Sequence, residues 1–368
     1  MKKHLVLAGG GHAHMVTLAN LEKFIENGHK VSVIGPSTHH YYSGMGPGML
    51  GKTYTPQEIR FATKHVVEKK GGIFIEGKAE KVDPEKKILL LESGETIPYD
   101  VISFNSGSHV PQSIISEKDL AANKRVIFPV KPIERLMEAQ IQLEKMMTEK
   151  RISISIIGGG PSSAEIAGNV WQLATIVKQK SPGMTMPIIK IMAGKRFMSK
   201  FPESVRKAVY NCITSRGIEI FERGYVKEVT GTTVVMESGD RHPSDFIFMA
   251  LGVKPSKMFE VSGLPTGPDR GLLVNRFLQS TQYPEIFGGG DCIHFSERPL
   301  DKVGVYAVRE NPVLFNNLMA SLDNRPLQPF DPGGDYLLIF NLGGNYGVLR
   351  KKMVLFERQA CICNQGSH

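Results

Sequence analysis

Leu5-Val6-Leu7-Ala8-Gly9-Gly10-Gly11-His12-Ala13-His14 runs four apolar residues straight into three glycines. The short apolar run reads as a buried strand, and the glycines mark a turn where backbone bends tightly or approaches a ligand closely. An apolar-periodic helix ending near Asn27-Gly28 and a second strand, Lys30-Val31-Ser32-Val33-Ile34, complete a βαβ unit. The plan returns later in the chain: a strand over 152–157, the turn Gly158-Gly159-Gly160-Pro161-Ser162-Ser163, a helix over 164–177 and a strand over 188–192. Two nucleotide-binding units are expected.

Runs that read as antiparallel meanders follow each unit, over 78–83, 87–92 and 99–104 in one case and 225–230, 232–237 and 245–250 in the other. Helices are expected over 132–149, 202–216 and 303–322. Leu337-Leu338-Ile339-Phe340 and Met353-Val354-Leu355-Phe356 suggest a small strand-rich C-terminal cap. The expected fold class is α/β: two Rossmann-like three-layer nucleotide-binding domains with antiparallel meanders, plus that cap.

A chain of 368 residues suits two domains and a small appendage. With 41% hydrophobic and 22% charged residues it belongs among folded chains, not disordered ones. The net charge of +9 invites an acidic partner: nucleic acid, an anionic membrane surface or a phosphate-bearing ligand. No basic stripe interleaved with aromatics is present, which argues against nucleic acid. Cys212, Cys292, Cys361 and Cys363 are too few for a disulfide scaffold, so a reducing, cytoplasmic setting is expected. The apolar run at the start is too short for a signal peptide, and no window approaches the roughly 18 apolar residues of a spanning helix. Membrane contact, if made, is therefore peripheral at the inner face of the cell membrane. His12 with His14 and His39 with His40 lie in turns committed to a nucleotide, and no metal is expected.

In a GxGxxG turn the first two glycines permit the bend and the approach of a pyrophosphate, which then sits at the positive end of the next helix. Gly9 with Gly11, and Gly158 with Gly160, meet that need. The third position is His14 in one copy and Ser163 in the other. The acid that grips a ribose hydroxyl at the end of the second strand is missing from both: Gly35-Pro36-Ser37 stands in one copy and Ala193-Gly194-Lys195-Arg196 in the other. Lys195 and Arg196 either hold a 2′-phosphate or are simply solvated.

The run 280–292, STQYPEIFGGGDC, resembles the second flavin fingerprint of the FAD-dependent pyridine nucleotide-disulfide oxidoreductase superfamily. The segment 158–168, GGGPSSAEIAG, resembles the nicotinamide-nucleotide turn of type II NADH dehydrogenases. GGGHAH, the run 41–51 (YYSGMGPGMLG) and the run 303–314 (VGVYAVRENPVL) are similar to the oxidoreductase domain fused ahead of selenide, water dikinase. The resemblance implies FAD as cofactor and NAD(P)H as co-substrate. It implies an FAD-binding domain from 1–112 with 265–325, an NAD(P)H-binding domain over 113–264 and a cap over 326–368. Gly9, Gly11 and His12 would face the FAD pyrophosphate, Ala79 the adenine, and Ser43 and Gly44 the diphosphate or flavin. Gly107 would close the first flavin loop and Asp291 would bind the ribityl chain. The helix opening at Gly304 and Val305 would point its positive end at the flavin. Gly158, Gly160 and Glu165 would serve NAD(P)H. Each residue also has a structural reading, as a turn former, a helix cap or a loop start.

Departures from the family shape the expected chemistry. Its disulfide reductases carry CxxC or CxxxxC pairs beside the flavin, because a two-electron relay needs two thiols within bonding reach. Cys361 and Cys363 form only a CxC. Direct flavin chemistry is the expectation: two electrons pass from NAD(P)H through FAD to a quinone or another small acceptor. Lys131, Tyr306 and Arg309 are the catalytic candidates. The family's glutamine-bearing quinone motif is not reproduced over 305–310. The ten residues after Arg358 are too few for the family's terminal amphipathic helices, so any membrane binding is expected to rest on charge. Two alternatives stay open: a sulfide:quinone-type sulfur oxidoreductase acting through Cys212 or Cys292, and a slow-turnover flavoprotein sensor or scaffold. A homodimer is compatible with the sequence, which does not fix the oligomeric state.

Overall fold

The computed structural model describes residues 2–351 and 354–359; Cys361 and Cys363 lie outside the described residues. The chain forms two compact units. The first holds Met1–His40, Arg60–His109 and Val253–Gly334; the second holds Tyr41–Ile59, Val110–Gly252 and the described residues from Asp335 onward. Residues 41–59 join the second unit because the helix Gly46–Leu50 buries Met49 and Leu50 in its core. Residues 253–264 join the first, where Val82 N–H donates to Ser262 Oγ at 2.8 Å and Phe259 meets Phe104 edge to face.

Five parallel strands of the first unit stand in the order Ile286–Gly288, Val101–Phe104, His4–Ala8, Lys30–Gly35, Ile73–Glu76. Leu5 lies opposite Val31 on one side and Val101 on the other, so the glycine-led strand is central and its neighbours are reached in opposite directions. That reversal opens a crevice at the carboxyl ends of the strands, where such sheets take ligands. The second unit repeats the plan with Ile127–Pro129, Phe246–Met249, Ser153–Ile157, Ile188–Met192 and Glu219–Phe221. Both sheets are α/β sheets of the Rossmann type.

Two runs expected in the meanders belong to these parallel sheets instead. Val101–Phe104 and Phe246–Met249 are buried at all four positions, the pattern of a strand covered on both faces. Thr96–Pro98 and Arg241–Pro243 close the three-stranded meanders in their place. The helix expected between the first two strands is broken into a 3-10 turn, His12–His14, and two short helices, Met15–Ala19 and Glu22–Glu26.

The cap is an antiparallel sheet of Leu338–Asn341, Tyr346–Lys351 and Val354–Gln359. Its first turn is fastened to the second unit's long helix, Pro161–Lys180. Gly344 N–H donates to Gln172 Oε1 at 2.6 Å, and Arg216, stacked over Trp171, donates to the carbonyls of Leu342 and Gly343. Gly168 makes room for the contact, since a Cβ there would lie 2.0 Å from Leu342 O. Gly168→Val is expected to destabilise the protein by about 2 kcal/mol or more through this backbone clash. A thermal unfolding midpoint equal to that of the wild type would contradict the contact.

Candidate functional site

Three loops leave the carboxyl ends of adjacent strands in the first unit: 9–11, 105–108 and 289–291. Buried Asn105 joins them. Its Oδ1 accepts from Ala13 N–H at 3.2 Å, its Nδ2 donates to the Gly289 carbonyl at 2.7 Å, and its own N–H donates to the Ala8 carbonyl at 2.9 Å. Gly9 and Gly11 press on the same residue, where a Cβ would lie 2.2 Å from Asn105 O and Oδ1 respectively. Gly9 also sits at φ +104°, a conformation only glycine adopts freely. Asp291 lies in the short turn Gly290–Cys292 and accepts from Ser108 Oγ at 2.7 Å.

His14 shows how the missing third glycine is replaced. It is fully buried, with Nδ1 2.6 Å from the Gly9 carbonyl and Nε2 2.8 Å from Ser103 Oγ. A carbonyl only accepts, so Nδ1 carries the proton and Nε2 accepts from the serine. Burial pulls the imidazole down to about 4, which keeps it neutral. The ring thus ties the glycine turn to the neighbouring strand, the task a third glycine performs by permitting contact. His12 packs its ring edge-on against His40, whose own ring is held at about 4 by burial and by His12.

The helix Gly304–Leu322 starts with Gly304 and Val305 and has no side-chain cap. Six residues past its start, buried Glu310 accepts from Gly290 N–H at 2.5 Å. Burial raises Glu310 to about 7, against the pull of the Gly290 hydrogen bond and Lys302. Asp291, Lys302, Tyr306 and Glu310 line one small cavity, so Tyr306 is the catalytic candidate that shares a space with Asp291. Arg309 is otherwise engaged: its Nη1 donates to the carbonyls of Pro332 and Gly334 and clamps that segment. Cys292 is buried, its thiol faces the carbonyls of Phe104 and Gly289, and burial pushes it up to about 11.

In the second unit Gly158 (φ +137°) passes under Ala250, whose carbonyl oxygen would lie 2.1 Å from an added Cβ. Gly159 meets Ala193 in the same way at 2.2 Å, while Gly160 faces open space and begins the long helix without a side-chain cap. Ser163, at the third position, is buried beside Gly158, and its hydroxyl has no hydrogen-bond partner among the described residues. Glu165 points to the cap: its Oε1 accepts from Asn341 N–H at 3.0 Å, and desolvation raises it to about 7.

The remaining candidates are dispersed. Ser43 and Gly44 stand in the 3-10 turn Ser43–Met45 of the second unit, and partly buried Lys131 follows that unit's edge strand. Ala79 opens the first unit's meander strand Ala79–Asp83. Gly107 (φ +69°) and Gly304 face open space in the first unit. Open glycine backbone at Gly107, Gly160 and Gly304, with two uncapped helix starts, fits two pyrophosphate-bearing ligands such as FAD and a nicotinamide nucleotide. Among the described residues, no group of three or more His, Cys, Asp or Glu could hold a metal ion.

Asn105 and Glu310 were not legible as functional residues from motifs. Their signals were weaker: Asn105 follows the strand Val101–Phe104 two residues before Gly107, and Glu310 and Asn311 interrupt the buried stripe Ala307, Leu314, Leu318 of their helix. A polar residue on an apolar stripe needs a buried partner. Glu310 finds Gly290 N–H, and Asn311 Nδ2 donates to the His12 carbonyl at 2.7 Å.

Comparison with known proteins agrees with this geometry. The family described as pyridine nucleotide-disulphide oxidoreductase matches residues 3–311. Ferroptosis suppressor protein 1 of Taeniopygia guttata is 25% identical over 316 residues, covering 82% of this chain and 75% of that protein. Demethylphylloquinone reductase NdbB of a Synechocystis strain is 22% identical over 384 residues, covering 97% and 92%. The fold is shared with NDH2 of Plasmodium falciparum, solved in complex with NADH, at a TM-score of 0.80 and 13% identity over 97% of this chain and 92% of that one.

Glu310 gives a pH signature. Its folded value of about 7 exceeds the ordinary 4.5, so its contribution to stability is full below pH 4.5 and is lost as pH rises through 7. Glu310→Gln is therefore expected to flatten the fall of Tm between about pH 5 and 8. Parallel Tm profiles for the wild type and the variant would count against a buried, proton-holding Glu310.

Proposed function

We propose that the chain, which belongs to the pyridine nucleotide-disulphide oxidoreductase family and is an FAD-dependent oxidoreductase of NAD(P)H, passes its electrons to a quinone, with FAD held by the first unit and the nucleotide by the second. The observation that carries the assignment is the convergence of three strand-end loops on Asn105, matched in the second unit by an independent glycine turn at the same point of the same sheet plan. FAD, when bound, would supply the two-electron chemistry that links a reduced nicotinamide to the acceptor.

The chain's own residues hold and orient. Gly9 and Gly11 let backbone approach a pyrophosphate, and Asn105 keeps the first and second flavin loops in register. Asp291, oriented by the Ser108 hydroxyl at 2.7 Å, offers its carboxylate to the ribityl hydroxyls. The positive start of the helix Gly304–Leu322 would stabilise negative charge on a flavin held there, with Tyr306 lining the same cavity as Asp291. Gly158 and Gly160 receive the nucleotide's pyrophosphate at the start of Pro161–Lys180. Arg309 is assigned a positioning role through its clamp on 332–334, and Glu165 one through its bond to the cap.

A quinone acceptor is supported by the likeness to a demethylphylloquinone reductase. Access to such an acceptor favours peripheral attachment at the inner face of the cell membrane, supported by the +9 charge and by exposed Leu337 and Ile339 at the cap's first strand. Among the described residues no helix is long and apolar enough to cross a membrane. The sulfur-linked reading is less favoured: Cys292 is buried with a raised pKa and Cys212 is buried, whereas a nucleophilic thiol needs exposure and a lowered pKa.

Anaerobic titration of the FAD-loaded protein with NADH or NADPH is expected to bleach the flavin stoichiometrically, and a quinone is expected to restore it over many turnovers. Bleaching without reoxidation by quinone would exclude that acceptor, and no bleaching would favour a sensor or scaffold. Asn105→Ala is expected to weaken FAD binding by about 1–3 kcal/mol, the cost of leaving buried polar partners unmatched. An unchanged FAD Kd would remove Asn105 from the assignment.

A further inference from the structure

The strand Ile188–Met192 runs parallel to Ser153–Ile157, whose end carries the second glycine turn. In a nucleotide-binding half of this kind the adenosine ribose lies at the end of the second strand. The loop that follows, 193–198, lies directly on the glycine turn. Gly158 N–H donates to the Met192 carbonyl at 3.0 Å, Met198 N–H donates to the Gly159 carbonyl at 2.7 Å, and a Cβ on Gly159 would stand 2.2 Å from Ala193 O. Lys195 and Arg196 therefore occupy the position beside the ribose where an acid would grip the 2′-hydroxyl.

The acids nearby are already committed. Glu222 Oε1 accepts from Phe197 N–H at 2.6 Å. Glu203 accepts from Arg196 at 2.6 Å and from Arg206 at 2.9 and 3.0 Å, and these arginines pull it down to about 2. The Arg196 pair is exposed, so it contributes little and exchanges readily for a stronger anion, while Arg206 still holds Glu203. An aromatic platform packs against the same loop. Tyr225 is 51% exposed and lies against Gly194 (φ +75°), where a Cβ would meet the ring at 2.7 Å; Lys195 Nζ stands 6.0 Å from its centroid. Two exposed cations, one of them beside an open ring, form a seat for an adenosine bearing a phosphate on its ribose.

With the second unit read as the holder of the nicotinamide nucleotide, we propose that Lys195 and Arg196 select the 2′-phosphorylated form, NADPH, over NADH, and that Tyr225 supports the adenine. The 2′-phosphate takes charge-assisted hydrogen bonds from the guanidinium and the ammonium. NADH brings no anion to either cation, and Arg196 keeps its exposed pair with Glu203.

Isothermal titration of the FAD-loaded full chain with adenosine 2′,5′-bisphosphate and adenosine 5′-monophosphate tests the seat without turnover. The wild type is expected to bind the bisphosphate at least about tenfold more tightly, and Lys195→Ala with Arg196→Ala to remove that preference, with Arg196→Lys keeping part of it. In flavin reduction the ratio of kcat/KM for NADPH to that for NADH is expected to fall about ten- to a hundredfold in the double variant. Equal affinity of the wild type for the two adenosine ligands, or an undiminished preference in the double variant, would overturn the selection even if NADH reduces the flavin well. A bisphosphate preference lost in the double variant, with no flavin reduction by either nucleotide, would uphold the selection and instead discard the proposed reaction. Both substituted side chains are exposed, and an unchanged Tm checks that the variants fold.

Discussion

Backbone passing backbone with no room for a methyl group is the constraint from which both nucleotide seats follow. At Gly9 and Gly158 an added Cβ would lie 2.2 and 2.1 Å from a carbonyl oxygen of the next-door loop, and both residues hold positive φ. Each turn closes only with glycine, and once closed it brings the end of the central strand against the start of a helix. The loop after the neighbouring strand then falls into contact as well, through Asn105 in one unit and Ala250 in the other. The crevice, the anion-accepting helix start and the convergence of loops are consequences of that approach.

The two copies solve the third position of the turn differently, and the difference is polar. His14 is neutral and doubly hydrogen-bonded, spanning the gap between turn and strand with a side chain. Ser163 is small enough to fit beneath its turn. Around them sit two carboxyls pushed to about 7 by burial, Glu310 under the 289–291 loop and Glu165 under the cap. Each uses its oxygen to satisfy a backbone N–H that would otherwise be stranded, so the cost of burying an acid is offset by organising a loop.

Charge takes on a local meaning in this frame. The +9 balance is general, but in the proposed reading Lys195 and Arg196 stand beside a ribose, with Glu222 held by Phe197 N–H and Glu203 shared between Arg196 and Arg206. Electrostatic steering by the whole surface raises the local concentration of anionic nucleotides. Placement of two cations beside the glycine turn is the feature proposed to discriminate among them.

The sequence alone determined the duplicated βαβ plan, the glycine turns and the Gly290-Asp291 pair, because these depend on local properties: apolar runs and glycine's missing Cβ. Even so, Val101–Phe104 and Phe246–Met249 were legible as strands without revealing that they are covered on both faces, a fact set by neighbours distant in the chain. The tertiary structure alone decided that Asn105 joins three loops, that Glu310 holds Gly290, that Glu165 serves the cap and that Arg309 clamps 332–334. Those roles depend on which hydrogen-bonding groups are buried together, and burial is a property of the packed chain that no stretch of residues carries by itself.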